Sequence, residues 1–425
     1  MISILLIINR LMHDVVQLLT ANNTSRNMDK FLMLIIFSVV LARDNAFADR
    51  LPFGLRHNAR RSIDKSSMNL LKDVYEASND KNVVTSPLGV FVLLSLFSTV
   101  TNGTTRQEIE NVLGFHDYSQ LTDSFEYLSE SYSSMDPNLL TFANKVCISD
   151  TYQLEKEFVN LATRQYHSEV TSIDLQNPEA AADVVNQWAF SKSGGNIKDP
   201  VSAETFTPGI VALLINIIYF QGKWKYPFNV DETTEQTFHI SATETVMKPT
   251  MQLSQKLFHG YNRFLQAKMI HLPYNETDFS MIIVVPDEIH GVPRLLDLFR
   301  NEGILRFTSK LYMSYKKVHL EMPKFEVTTR LNVKDILVKE GVHGIFSKYT
   351  SGVVKGEGVK VSDAFQQACI KVDEAGTEAA AFTEFGIQLR CYMPEEEPVL
   401  FKVDRPFVYA ILHKDIVLFT GTYSH

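Results

Sequence analysis

The sequence predicts an α+β fold. Three observations carry this. Long apolar helical stretches precede residue 207, and segments rich in Val, Ile, Phe and Tyr dominate after it. No steady strand–helix–strand alternation runs along the chain. With 425 residues, 45% of them hydrophobic, the chain has material for one large core or two ordinary ones. No Pro/Gly/Ser-rich stretch divides it after residue 65, and no internal repeat is visible.

In chain order, Ser86-Pro87 reads as a helix start, a capping residue followed by proline at the first helical position. The run 88–100 is apolar nearly all round, so that helix is expected to be buried rather than amphipathic. Thr105 and Glu108 have the spacing of a capping box for the next helix. A further helix is expected around 180–191, ending at Gly194-Gly195. Strands are expected at 211–220, 281–285, 318–327, 407–412 and 416–423. The last two are joined by His413-Lys414-Asp415, a hairpin-like turn.

The N-terminal region reads as a targeting segment. Lys30 precedes a 12-residue apolar run, FLMLIIFSVVLA, and Ala46-Phe47-Ala48 has the small-x-small form of a signal-peptidase site. The run is shorter than the roughly 20 residues a membrane-spanning helix needs. The unit opens at Met28, which leaves 1–27 as an upstream extension or an alternative start. A signal anchor that also uses residues 2–8 is the other reading. Cleavage after Ala48 divides the chain into 1–48 and a secreted, extracellular domain, 49–425.

A net charge of −8 argues against a nucleic-acid binder, whose phosphate contacts need a basic face. The stretch 116–135 is acidic and polar, so no heparin-type cofactor is expected there. Cys147 and Cys369 sit in apolar strand-like surroundings and are expected as buried thiols, whereas Cys391 is expected to be exposed; three cysteines make no disulfide framework. Asn102 (NGT) and Asn275 (NET) are sequons at turn-like positions and candidates for glycosylation. No HExxH, GxSxG, CxxC pair or GxxxxGK[ST] is present, and the twelve histidines show no metal-ligand spacing, so neither an enzyme nor a metal or other cofactor is expected.

The most informative segment is 374–383, EAGTEAAAFT. Thr377, Ala379, Ala381 and Thr383 would share one face of an extended strand, small enough to enter a crowded sheet. Gly376 supplies a backbone joint with few steric limits. Ala and Glu are weak strand formers, so the segment reads as exposed at first and insertable later. From Asp373 to Phe401 the only basic residue is Arg390. A lone basic residue on an exposed loop is bait for a trypsin-like protease, whose specificity pocket holds an acidic group. An Ala/Glu-rich solvated helix or linker with an incidental arginine is the plain alternative.

The surroundings of this segment resemble a serpin over roughly 65–423. NVVTSPLGVFVLLSLFSTVTNGTTRQEI (82–109), VALLINIIYFQGKWKYPF (211–228), IHLPYNETDFSMIIVVP (270–286) and LEMPKFEV (320–327) are similar to the family's motifs and stand in its order. VSDAFQQACIKVDEAGTE precedes the candidate hinge, and FKVDRPFVYAIL and LFTGTY follow it. The resemblance implies three β-sheets with eight or nine helices and a reactive-centre loop at about 374–398. It implies a hinge formed by Glu374, Gly376, Thr377, Glu378, Ala379, Ala380, Ala381 and Thr383. It places the scissile bond sixteen residues after Glu374, between Arg390 and Cys391. Phe382 departs from the alanine common in inhibitors, but falls on the outward face.

The resemblance also implies a sheet-opening region. Ser86, Asn216 and Gln366 would meet beneath the main sheet, with Gln366 standing where the family often has histidine. Trp224 and Lys324 would lie near the top of the sheet, with Lys324 facing Glu374. A dozen inserted residues forming about ten ladder bonds at roughly 1 kcal/mol each would gain about 10 kcal/mol, which rivals the stability of an ordinary domain. The active form is then a kinetic trap. The implied function is suicide inhibition of an extracellular trypsin-like serine protease by a monomer with no membrane partner. A non-inhibitory serpin acting as carrier, storage protein or chaperone is the alternative. The general flavour resembles arthropod serpins of body fluids.

Overall fold

Strand β4 (Ala212–Phe220), ALLINIIYF, is buried along its whole length and explains the architecture around it. Its side chains alternate between two cores. Leu214, Ile218 and Phe220 join the larger core with the apolar helix at Pro87–Val100, while Leu213, Ile215, Ile217 and Tyr219 join a second core with Ala181, Val185 and Trp188. A strand covered on both faces is apolar at every position rather than at every second one. Asn216 is the exception, fully buried in the middle.

These relationships come from a computed structural model that describes residues 53–276, 278–300, 302–356, 358–376 and 397–425. The first half contains α1 (Phe53–Ala77), β1 (Val83–Thr85), α2 (Pro87–Val100), α3 (Gly103–Leu113), α4 (Tyr118–Ser133), β2 (Leu140–Ser149), α5 (Lys156–Arg164), β3 (Ser168–Ile173), α6 (Pro178–Lys192) and β4. The second half contains β5 (Thr234–His239), β6 (Thr245–Asn262), β7 (Ala267–Pro273), β8 (Phe279–Pro286), α7 (Val292–Phe299), β9 (Ser314–Pro323) and β10 (Phe325–Asn332). It closes with α8 (Lys334–Lys339), α9 (Gly344–Ser347), β11 (Asp363–Val372), β12 (Val399–Lys402), β13 (Phe407–His413) and β14 (Ile416–Tyr423). The α+β class is as expected, with nine α-helices among the described residues.

A five-stranded sheet runs β10-β11-β4-β2-β3. A larger network runs β1-β14-β13-β8-β7-β6-β9-β12, with β5 on β6. Two of the three expected sheets are therefore continuous. The 18-residue strand β6 joins them, pairing with β9 over Thr250 to His259 and with β7 over Phe258 to Asn262.

Several local expectations need correction. The apolar run 318–327 is two strands: β9 ends at Pro323 in the larger network, and β10 starts at Phe325 in the five-stranded sheet. Proline has no N–H to extend a ladder, so the chain changes sheets there. Ser86 occupies the N-cap of α2, yet its side chain makes no capping bond and its hydroxyl has no protein partner. Helix α3 begins at Gly103, ahead of Thr105, and the Glu108 carboxylate does not close a capping box. It accepts from the His343 and Gly344 amides at 2.9 and 2.6 Å, tying α3 to α9. In the first half, strand β3 was not anticipated and β2 only around Cys147. Cys147 and Cys369 are buried free thiols; burial pushes Cys147 up to about 12 and raises Cys369.

Candidate functional site: a latched seam in the five-stranded sheet

The junction between β4 and β11 is a parallel ladder of eight pairs, from Asp363 with Leu213 to Ile370 with Phe220. On the outer sides of the junction the pairing is antiparallel, β2 with β4 and β10 with β11. Parallel pairs are slightly weaker per residue, and this one, unlike the parallel β2–β3 pair at the sheet edge, is flanked on both sides by antiparallel pairs, which makes it a seam inside the sheet. A chain that leaves β11 and folds back runs antiparallel to β11. Because β4 is parallel to β11, the returning strand is antiparallel to β4 as well. Insertion would replace one parallel ladder with two antiparallel ones.

Two side-chain clusters bridge the seam. In the middle, Gln366 and Asn216 are register partners on β11 and β4. Gln366 donates through Nε2 to the Asn216 Oδ1 at 2.8 Å and also to the Ser86 carbonyl. The Ser86 amide donates back to Gln366 Oε1 at 3.0 Å. Asn216 in turn donates to Asn144 Oδ1 at 2.9 Å and to the Ala143 carbonyl at 3.3 Å. Both amides are thereby satisfied in a site that water does not reach, and the network spans β2, β4, β11 and the start of α2. Ser86, Asn216 and Gln366 meet here, Ser86 through its backbone. Gly89 on α2 was missed: a Cβ there would lie 1.9 Å from Asn216 Nδ2, so only glycine lets the helix approach this network.

The second cluster lies at the end of β11, about 25 Å away at 3.3 Å per residue. Trp224 donates its indole N–H to the Asp373 carbonyl at 2.9 Å, and its backbone N–H to the Ala375 carbonyl at 2.9 Å. Its ring stacks on Tyr274, centroids 4.4 Å apart. The buried Glu374 carboxylate accepts from Lys324 Nζ and from Thr233 Oγ1, each at 2.7 Å. Burial pushes Glu374 upward, but the hydrogen bonds from Lys324 and Thr233 outweigh it and hold it below the usual carboxylate range. Gly376 bridges to Lys223 with φ at 139°, and a Cβ there would sit 2.2 Å from the Gly222 carbonyl oxygen. Trp224, Lys324, Glu374 and Gly376 thus form a latch at the point where the chain leaves the sheet. Thr233 and Tyr274 completed it unforeseen, since neither carries a sequence signal.

The candidate residues Thr377, Glu378, Ala379, Ala380, Ala381, Thr383, Arg390 and Cys391 lie outside the described residues, as does Phe382. The sequon asparagines Asn102 and Asn275 are both exposed, Asn102 as the N-cap of α3. Among the described residues, no group of three or more His, Cys, Asp or Glu could hold a metal ion. No described helix is long and apolar enough to cross a membrane.

The family model "Serpin (serine protease inhibitor)" matches residues 61–425. The chain belongs to the serpin family. Antitrypsin of Bombyx mori is 27% identical over 393 residues, covering 92% of this chain and 99% of that protein. Antichymotrypsin-2 of the same organism is 29% identical over 362 residues, covering 85% of this chain and 96% of that protein. The crystal structure of Serpin48, described as a highly specific serpin in the insect Tenebrio molitor, superposes with a TM-score of 0.78 at 27% identity, covering 87% of this chain and 98% of that one. Serpins are generally protease inhibitors rather than enzymes, and the arrangement of seam and latch belongs to a serpin whose seam strands pair directly with one another.

Proposed function

We propose that this serpin is a secreted suicide inhibitor of trypsin-like serine proteases, cleaved between Arg390 and Cys391. The protease serine attacks the Arg390 carbonyl, the Cys391 amine leaves, and an acyl-enzyme results. The freed segment from Gly376 onward enters the β4–β11 seam and carries the acylated protease with it. If insertion outruns deacylation, the complex is trapped; if it lags, water regenerates the protease.

The observation that carries this reading is the seam itself. A directly paired parallel ladder ends beside a glycine-containing latch, and the next residues in sequence are Thr377, Glu378, Ala379, Ala380 and Ala381. Small side chains at alternate positions suit entry between β4 and β11, where the flanking residues are buried. Arg390 supplies the specificity. The proposal extends to a signal peptide ending at Ala48, a mature domain of 49–425 acting as a monomer, and glycans on Asn102 and Asn275. The target would be an extracellular protease with a preference for Arg.

The test is a denaturing gel after mixing with trypsin. A covalent band of protease plus inhibitor is expected, and Thr377→Arg should abolish it while cleavage continues. Fragments alone from the wild-type protein would make it a non-inhibitory serpin.

A further inference from the structure

A cavity of about 290 Å³, lined by residues that directly follow Trp224 in the chain, takes no part in the proposed inhibition. This is near the roughly 300 Å³ at which pockets begin to hold small molecules. Lys225, the residue after Trp224, lines it, and its backbone N–H bonds to the carbonyl of Pro273, another lining residue, at 3.0 Å. Three lysines from three separate elements line the cavity: Lys225 after β4, Lys256 on β6 and Lys310 before β9. All three are exposed, and no acidic side chain pairs with any of them among the described residues. Elsewhere on this acidic protein lysines find carboxylates, as Lys145 does with Glu169, Lys339 with Asp73 and Lys402 with Glu321. Three uncompensated ammonium groups around one opening concentrate a positive field where the net charge is −8.

The walls are aromatic. Phe258 and Tyr315 lie across β6 and β9 with ring centroids 4.9 Å apart, and Tyr315 is hydrogen-bonded to Tyr226. Lys310 sits 5.5 Å from the centre of the Phe258 ring. The cavity is also lined by His271, a buried residue whose Nε2 donates to the Thr308 carbonyl at 2.9 Å. That bond leaves Nδ1 as a lone-pair acceptor, and no protein group donates to it. Burial holds this imidazole down to about 4, so it is neutral at physiological pH.

We propose that this cavity binds an amphipathic aromatic anion: an aryl carboxylate or sulfonate whose rings lie among Tyr226, Phe258 and Tyr315 and whose acid faces the three lysines. Such a ligand would touch Lys225 and so adjoin the latch through Trp224.

The probe is 1-anilinonaphthalene-8-sulfonate, which joins an aryl sulfonate to aromatic rings. Titrated into the Trp188→Phe protein, it should bind at one saturable site and quench Trp224, the remaining tryptophan, by energy transfer. The double variant Lys256→Ala with Lys310→Ala should bind at least tenfold more weakly while melting within a few degrees of the parent. A heparin decasaccharide, which offers sulfate without rings, should not displace the probe at equimolar concentration. Unchanged affinity in the double variant, absence of saturable binding or absence of Trp224 quenching would each overturn the site. Displacement by the decasaccharide would assign the lysines to a surface polyanion site and overturn the aromatic one.

Discussion

Gln366 on β11 and Asn216 on β4 face each other across the parallel seam, joined by a 2.8 Å hydrogen bond. Neighbouring strands lie about 4.8 Å apart, so a strand inserted between these two would double their separation and break that bond. Under the proposed insertion, the pair would have to come apart for the sheet to open.

Gln366→Ala should lower the stability of the intact protein by about 3 kcal/mol, because it leaves the Ser86 amide, the Ser86 carbonyl and the Asn216 oxygen without partners in a buried site. Asn216→Ala should cost a similar amount. In a double-mutant cycle the two losses should fall short of additivity by about 1–2 kcal/mol, as they share one network. Full additivity in denaturant unfolding would mean that the residues act separately.

Gly376→Ala places a Cβ 2.2 Å from the Gly222 oxygen at a φ that side chains rarely adopt. The hinge should lift away from Lys223 and Trp224. The Trp224 amide, bonded to the Ala375 carbonyl in the wild type, should then exchange with deuterium at least tenfold faster. Unaltered protection would show that the latch does not depend on this glycine.

His271 gives the stability a pH dependence. Its folded pKa of about 4 lies below the ordinary 6.5, so its contribution is fully present above pH 6.5 and is lost as pH falls through 4. The full difference is about 3 kcal/mol. His271→Gln, which keeps a donor for Thr308, should flatten the decline in melting temperature between pH 6.5 and 4. An identical slope in the variant would move the acid sensitivity to another group.

Much of this was legible in the chain, for physical reasons. A helix apolar all round, a nine-residue strand interrupted by one amide, and strand pairs rich in β-branched residues each declare themselves through burial pattern alone. Strand β2, LTFANKVCIS, did so only around Cys147, because polar groups interrupt the rest. Its Lys145 is nevertheless buried, held by Glu169 at 3.3 Å and lying over the Trp188 ring at 5.0 Å. Lys324 and Glu374 stand fifty residues apart, and only the family resemblance brought them together; the structure pairs them at 2.7 Å. Thr233, Gly89 and Tyr274 carry no pattern, and their roles arise from contacts made after folding. The break at Pro323 was readable from the proline, but the continuous apolar run around it masked the change of sheet.

The central claim is that the folded protein is held above a lower minimum, reached when the segment after Gly376 joins the seam. The direct measurement is the melting temperature of the intact protein against that of the same protein nicked at Arg390 and freed of protease. Insertion predicts a melt displaced upward by tens of degrees, since about 10 kcal/mol of new pairing is added and 1 kcal/mol moves a large domain by about 2–4 °C. Superimposable melts before and after nicking would contradict it.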